Sequence, residues 1–150
     1  MGVFVINEWL WHDLSGENGT EAQTESLKAV IQFRNSKHRL VVAEGSSFDQ
    51  KAWKLCKSHD MMIRQVVVRD YVLAVRWDLN RCVVLKPHNM AELPDDLAHS
   101  TKPDDHYLLR CLLSVEEAIL VTTDGDLCEA VVRAQKPCLS REQFLAEYLF

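Results

Sequence analysis

Apolar and polar positions fall along this chain in blocks of two kinds. Short runs rich in β-branched residues, Val3-Phe4-Val5-Ile6, Arg39-Leu40-Val41-Val42-Ala43, Cys82-Val83-Val84-Leu85 and Ala118-Ile119-Leu120-Val121-Thr122, predict four strands, the first of them apolar throughout and buried on both faces. Between them the apolar residues take helical spacing. Thr20-Glu21-Ala22-Gln23 has capping-box spacing ahead of Leu27, Val30 and Ile31, and Ser47-Phe48-Asp49-Gln50 opens a helix facing inward through Phe48, Ala52, Leu55 and Cys56. Residues 61–76 hold Val66-Val67-Val68, a strand-like triplet, but Ile63, Val67, Tyr71 and Ala74 keep helical spacing and the segment is longer than a typical strand, so it reads as helix. Asp104 or Asp105 opens a helix with Leu108, Leu109, Leu112 and Leu113 inward; Gly125 to Gln135 is helical, and Ser140-Arg141-Glu142-Gln143 caps a last helix. Pro137-Cys138-Leu139 reads as a short extended piece, and the polar, proline-punctuated stretch from His88 to Pro103 as mostly loop. Strands alternating with helices predict an α/β fold: one domain over 1–150, a three-layer α/β/α sandwich around a mostly parallel sheet.

Composition narrows the class. The chain has 150 residues, 47% hydrophobic and 26% charged, with 5 Gly and 4 Pro. That is an ordinary globular composition, with enough chain to bury a core without disulfides or a structural metal. The cysteines Cys56, Cys82, Cys111, Cys128 and Cys138 are odd in number, lack a CxxC pair and mostly sit in apolar runs. They read as small buried hydrophobes in a reducing compartment, without the spacing of a zinc site. No secretory signal and no membrane-length apolar run is visible, which gives a cytoplasmic expectation without membrane contact.

Charge changes the picture more, because the net −5 is unevenly spread. Residues 1–27 carry −5, residues 28–86 carry +7, residues 91–129 carry −8 and residues 130–150 carry +1. Read to the strand ends, the acids gather: Asn7 and Glu8 follow the first strand, Glu44 the second, and Asp124 and Asp126 the fourth, while Asp104 and Asp105 start the helix leading into it. Ligands of such sheets bind at the carboxyl ends of the strands. Carboxylates held close together repel unless a cation neutralises them, and a hard divalent ion suits oxygen donors. Taken singly, each acid also has an ordinary reading as a helix cap or a solvated charge. Trp9 and Trp11 read as core or interface residues, and His12-Asp13 as a surface pair.

Three stretches resemble a known family. Pro103-Asp104-Asp105-His106-Tyr107-Leu108-Leu109, then Ala118-Ile119-Leu120-Val121-Thr122-Thr123-Asp124-Gly125-Asp126-Leu127, then Leu139-Ser140-Arg141-Glu142-Gln143-Phe144-Leu145 together look like the C-terminal half of a PIN domain. The resemblance implies a metal-dependent ribonuclease, and many members are toxins of toxin–antitoxin pairs. It places Asp124 as the acid of the Thr-x-Asp motif, Asp105 as the helix-opening acid with Asp104 as alternative, and Asp126 as the extra acid of some members. The second acid falls on Glu44 or Asp49. At the end of strand one the family's Asp is missing, leaving Asn7 or Glu8 as the possible ligand.

The implied activity is hydrolysis of RNA phosphodiesters with Mg²⁺ or Mn²⁺ held by carboxylates. The alternative is a catalytically degenerate domain that binds RNA or a protein partner without cleaving. Acids alone repel RNA, so the phosphate contacts are expected from the basic block, with Lys51, Lys54 and Lys57 at i, i+3 and i+6 on one helix. An antitoxin protein and a second copy of the chain are the further partners implied.

Overall fold

The apolar runs lie side by side in one parallel sheet. The computed structural model describes residues 1–150. Strands β1 (Val3–Ile6), β2 (Arg39–Ala43), β3 (Cys82–Leu85), β4 (Ala118–Val121) and β5 (Cys138–Leu139) take the order β3-β2-β1-β4-β5, and every neighbouring pair is parallel. Helix α1 is Trp9–Leu14, α2 is Thr20–Asn35 and α3 is Ser47–Leu55. Helix α4 (Met61–Val66) runs on as a π-helical stretch, Val67–Arg76. Then come α5 (Asp95–Ser100), α6 (His106–Ser114), α7 (Gly125–Arg133) and α8 (Arg141–Phe144), the last continuing as a π-helical turn, Leu145–Leu149.

Alternation along the strands sorts side chains between two cores, as the period of two requires. Phe4, Ile6, Leu40 and Val42 face one core with α1, α2, α3, α4 and α8; Val3, Val5, Val41 and Ala43 face the other with α5, α6 and α7. The α/β/α sandwich expected from the sequence is therefore present. No helix is long and apolar enough to cross a membrane.

Three local expectations change. Helix α1 directly follows β1; its residues Trp9, Leu10, Trp11, Asp13 and Leu14 are all buried, so it lacks the one-sided pattern by which helices are read. Within the stretch expected as loop, α5 forms because Leu97 anchors a single turn and a half against the second core. The cysteines are not all free: α7 packs beside β5, bringing Cys128 and Cys138 to a Cα separation of 5.7 Å, and they form a disulfide, leaving Cys56, Cys82 and Cys111 as thiols. Cysteine usage therefore does not by itself indicate a reducing compartment. Titration of the denatured, unreduced protein with a thiol reagent should give three thiols. Reduction should lower stability by roughly 2–3 kcal/mol, as expected for a loop this short.

Two buried ion pairs hold the first core to its helices. Asp13 of α1 accepts hydrogen bonds from Arg141 (2.9 Å) and Ser26 (2.7 Å), tying α1 to α8 and α2. Asp13 is thus a buried structural acid and not part of a surface pair. Trp9 and Trp11 are core residues, 5% and 2% exposed, and Trp9 donates its indole N–H to the Val121 carbonyl at the end of β4.

Candidate functional site

Sheet order sets the position of the site. From β1 the chain builds outward to β2 and β3 on one side, and to β4 and β5 on the other, so the order reverses between β1 and β4. A crevice forms at such a reversal, outside the carboxyl ends of the strands. Asn7 and Glu8 leave β1 there, and Thr122, Thr123 and Asp124 leave β4.

Beside this point lies a hollow of about 280 Å³ lined by Asp105, Asp124, Asp126, Lys102, His99 and Thr101. Each acid arrives by a different local rule. Asp124 is the N-cap of α7, its Oδ1 accepting from the backbone N–H groups of Asp126 (3.0 Å) and Leu127 (3.2 Å). Asp126 is in the first turn of the same helix, where the dipole favours an acid. Asp105 precedes α6 at the end of a 3₁₀ turn, half-buried, and its carboxylate accepts no hydrogen bond. Asp104 is exposed and does not line the hollow.

The charges in the hollow act on one another. Burial and the nearby carboxylates of Asp124, Glu8 and Asp104 push the Asp105 carboxyl above its ordinary 3.8, while Lys102 pulls the other way. A carboxyl raised on folding opposes folding once it ionises, so the penalty is absent well below pH 3.8 and complete above the raised value. Asp105→Asn should therefore melt higher than wild type at neutral pH and no higher in acid, measured by calorimetry at both pH values.

Glu8 is held differently. Its Oε1 accepts from Ser47 (2.8 Å) and lies 2.6 Å from the Lys51 ammonium, and its Oε2 accepts from the Tyr107 hydroxyl (2.8 Å). Burial would raise this carboxyl, but the hydrogen bonds from Lys51, Tyr107 and Ser47 outweigh it and the group lies below its ordinary value. Tyr107 is correspondingly pushed up, by burial and by the Glu8 charge. Lys51 also stands 3.1 Å from Nε2 of His12, whose Nδ1 meets Glu17.

Other expected site residues fall elsewhere. Asn7 turns its amide inward: Nδ2 donates to Thr122 Oγ1 (3.0 Å), and Oδ1 accepts the Glu8 backbone N–H (2.7 Å). Its carbonyl is thus committed to the chain end of β1. Asp49 is 2% exposed and accepts from Nε and Nη2 of Arg76, each at 2.9 Å, so it cannot be the second acid of an open site. Glu44 is exposed at the end of β2, accepts no side-chain hydrogen bond and does not line the hollow. His106 reaches the Ala98 carbonyl (3.2 Å) and not the carboxylates.

Of the three lysines expected on one helix face, Lys51 and Lys54 lie on α3, whereas Lys57 falls in the turn beyond its end at Leu55. Lys51, Lys54 and Lys57 line one groove with His12, His59 and Ser58, about 470 Å³ in volume. Lys51 therefore borders both the groove and Glu8. Sequence reasoning did not single out Ser47, Tyr107 and Lys102. Ser47 opens α3 and Tyr107 sits two residues after Asp105, but only the folded chain shows that both meet Glu8.

A divalent ion would find hard oxygen donors here in Asp105, Asp124 and Asp126, where like charges already crowd the Asp105 carboxyl. They are not gathered into a preformed shell of three or more ligands. Comparison with models of known protein families, with curated protein sequences and with solved structures gives no match to this chain.

Proposed function

We propose that the protein is a PIN-like, metal-dependent endoribonuclease. The observation that carries this reading is the meeting of Asp105, Asp124 and Asp126 in one hollow at the point where strand order reverses, with a lysine-lined groove beside it. Asp105, Asp124 and Asp126 would hold Mg²⁺ or Mn²⁺, which supplies Lewis acidity to a phosphodiester oxygen and to water. Asp124 lines the hollow, and its two cap bonds engage Oδ1 and leave Oδ2 without a hydrogen-bond partner. Lys54, Lys57 and Lys102 offer charge to phosphates on either side.

A second reading has its own support. Asn7 replaces the first acid and is tied to Thr122, and Glu8 is satisfied by Lys51, Ser47 and Tyr107. These favour a domain that binds RNA or a protein without cleavage. The exposed apolar residues Met62 and Leu73, on α4 and its π-helical continuation, and Trp77 just after it support a protein partner, an antitoxin or a second copy.

Cleavage of a single-stranded RNA oligonucleotide with Mn²⁺, and its suppression by EDTA, tests the choice. The first reading expects fragments that EDTA abolishes. Binding without fragments in any divalent metal gives the second.

A further inference from the structure

Large apolar side chains that folding leaves in solvent collect around one element. Met61 and Met62 open α4, Leu73 lies on its π-helical continuation, and Trp77 and Leu79 follow its end; each is more than half exposed. Along the segment Met62, Gln65, Arg69, Leu73 and Trp77 are exposed at spacings of three and four, while Ile63, Val66, Val67 and Val75 are buried in the first core. The outward residues therefore form a stripe on one helical face. Between Met62 and Leu73 in sequence, Arg64, Gln65, Val68 and Arg69 line a hollow of about 330 Å³. Trp77 is backed by Trp53 of α3, their ring centres 6.2 Å apart. Methionine, tryptophan and arginine are residue types that protein interfaces concentrate.

The exposed charge on this face has one sign. Arg64 donates to the Ser58 carbonyl (3.3 Å) and meets no acid, and Arg69 shares the single carboxylate of Asp70 with Arg34, so two guanidinium groups stand on one acid that is 1% exposed. The acids at the two ends are engaged by backbone: Asp60 accepts the N–H groups of Met62 and Ile63, and Asp78 that of Asn80. No acid between Met61 and Trp77 is exposed. A second copy joined across a two-fold axis would bring this cationic face against itself, which like charge opposes. A helix with acids beside an apolar stripe complements both features.

We infer that the stripe is the docking surface for an acidic amphipathic helix of another protein, whose apolar side chains cover Met62, Leu73 and Trp77 and whose carboxylates meet Arg64 and Arg69. This rests on the protein-partner reading given above and names the partner's chemistry. None of these five side chains lines the acidic hollow or the lysine groove, so the surface stands apart from any metal or RNA.

The probes are two labelled synthetic peptides, about four helical turns long, that share one leucine stripe and carry either glutamate or lysine beside it. Binding to the full chain is read by fluorescence anisotropy. Wild type should bind the glutamate peptide about tenfold or more tightly than the lysine peptide. The double variant Leu73→Ser, Trp77→Ser, whose changes lie in solvent, should weaken that binding about tenfold or more, and Arg64→Glu should erase the preference for glutamate. Equal or tighter binding of the lysine peptide, or glutamate-peptide binding that the double variant retains, overturns the inference while leaving the partner reading standing. Failure of both peptides to bind at roughly 100 µM overturns the surface and the partner reading together. Dimerisation in sedimentation, or attachment to phosphatidylserine vesicles, that the double variant loses makes a second copy or a membrane the occupant and also overturns it.

Discussion

If the proposed nuclease reading holds, Asp124→Asn is expected to lose RNA cleavage by about a thousandfold or more while the protein melts close to wild type. The two halves of this result come from different oxygens. Oδ1 of Asp124 accepts the backbone N–H groups of Asp126 and Leu127 and starts α7. Asparagine caps a helix about as well as aspartate, so this service is kept. The other oxygen has no hydrogen-bond partner, and Asp124 lines the hollow shared with Asp105 and Asp126, so an amide in its place removes a charge from the cation's ligand set. Loss of the several kcal/mol that a correctly held ion contributes to the transition state corresponds to a drop of that size. Asp124→Ala would lose cap and ligand together, and could not separate the two. Cleavage retained near wild-type rate in Asp124→Asn, with normal melting, removes Asp124 from the chemistry.

Arg76→Ala lowers stability by about 3–5 kcal/mol, and this second expectation concerns the acid that the sequence offered as a catalytic group. Asp49 and Arg76 are 2% and 8% exposed and joined by two hydrogen bonds of 2.9 Å. Removing the guanidinium leaves the carboxylate buried and uncompensated. It also strips the contact of Arg76 over the Trp53 ring, 5.8 Å from its centroid. The expected loss is a large part of the total stability of an ordinary domain. Replacing both partners by apolar residues, Asp49→Leu with Arg76→Met, should recover most of it, because the cost lies in the unpaired charge and not in the absence of the bridge. Denaturant melts of the single and double variants measure this. A single variant within about 1 kcal/mol of wild type, the range of a surface substitution, would show the pair to be dispensable.

The strands were legible because each is a short run rich in β-branched residues, and a parallel sheet buried on both faces demands that pattern. Helices with one apolar face, α2, α3, α6 and α7, were legible through spacing, but the caps expected at Thr20 and Ser47 are not made: Gly19 precedes α2 without a side-chain cap bond, and Ser46 caps α3. Helix α1 was not, since it is buried nearly all round, and α5 was too short to show a period. In the site, Asp105, Asp124 and Asp126 could be placed from the sequence because strand ends and helix starts fix where they point. Asp49 could not be judged in this way. Its partner is 27 positions further on, and nothing local distinguishes a capping acid that faces solvent from one that meets a buried arginine. The same holds for Glu8, whose three partners come from α3 and α6, and for Cys128 and Cys138, which meet only because α7 lies along β5.

On the function proposed above, the carboxylates at the β1–β4 reversal would hold a divalent cation. Electron paramagnetic resonance of Mn²⁺ titrated into wild type and into the Asp105→Asn, Asp124→Asn double variant tests it most directly. The account predicts a stoichiometric bound Mn²⁺ in wild type that the double variant loses while remaining folded. Wild-type protein that leaves Mn²⁺ free at millimolar concentration, or a double variant that binds it as well as wild type, contradicts it.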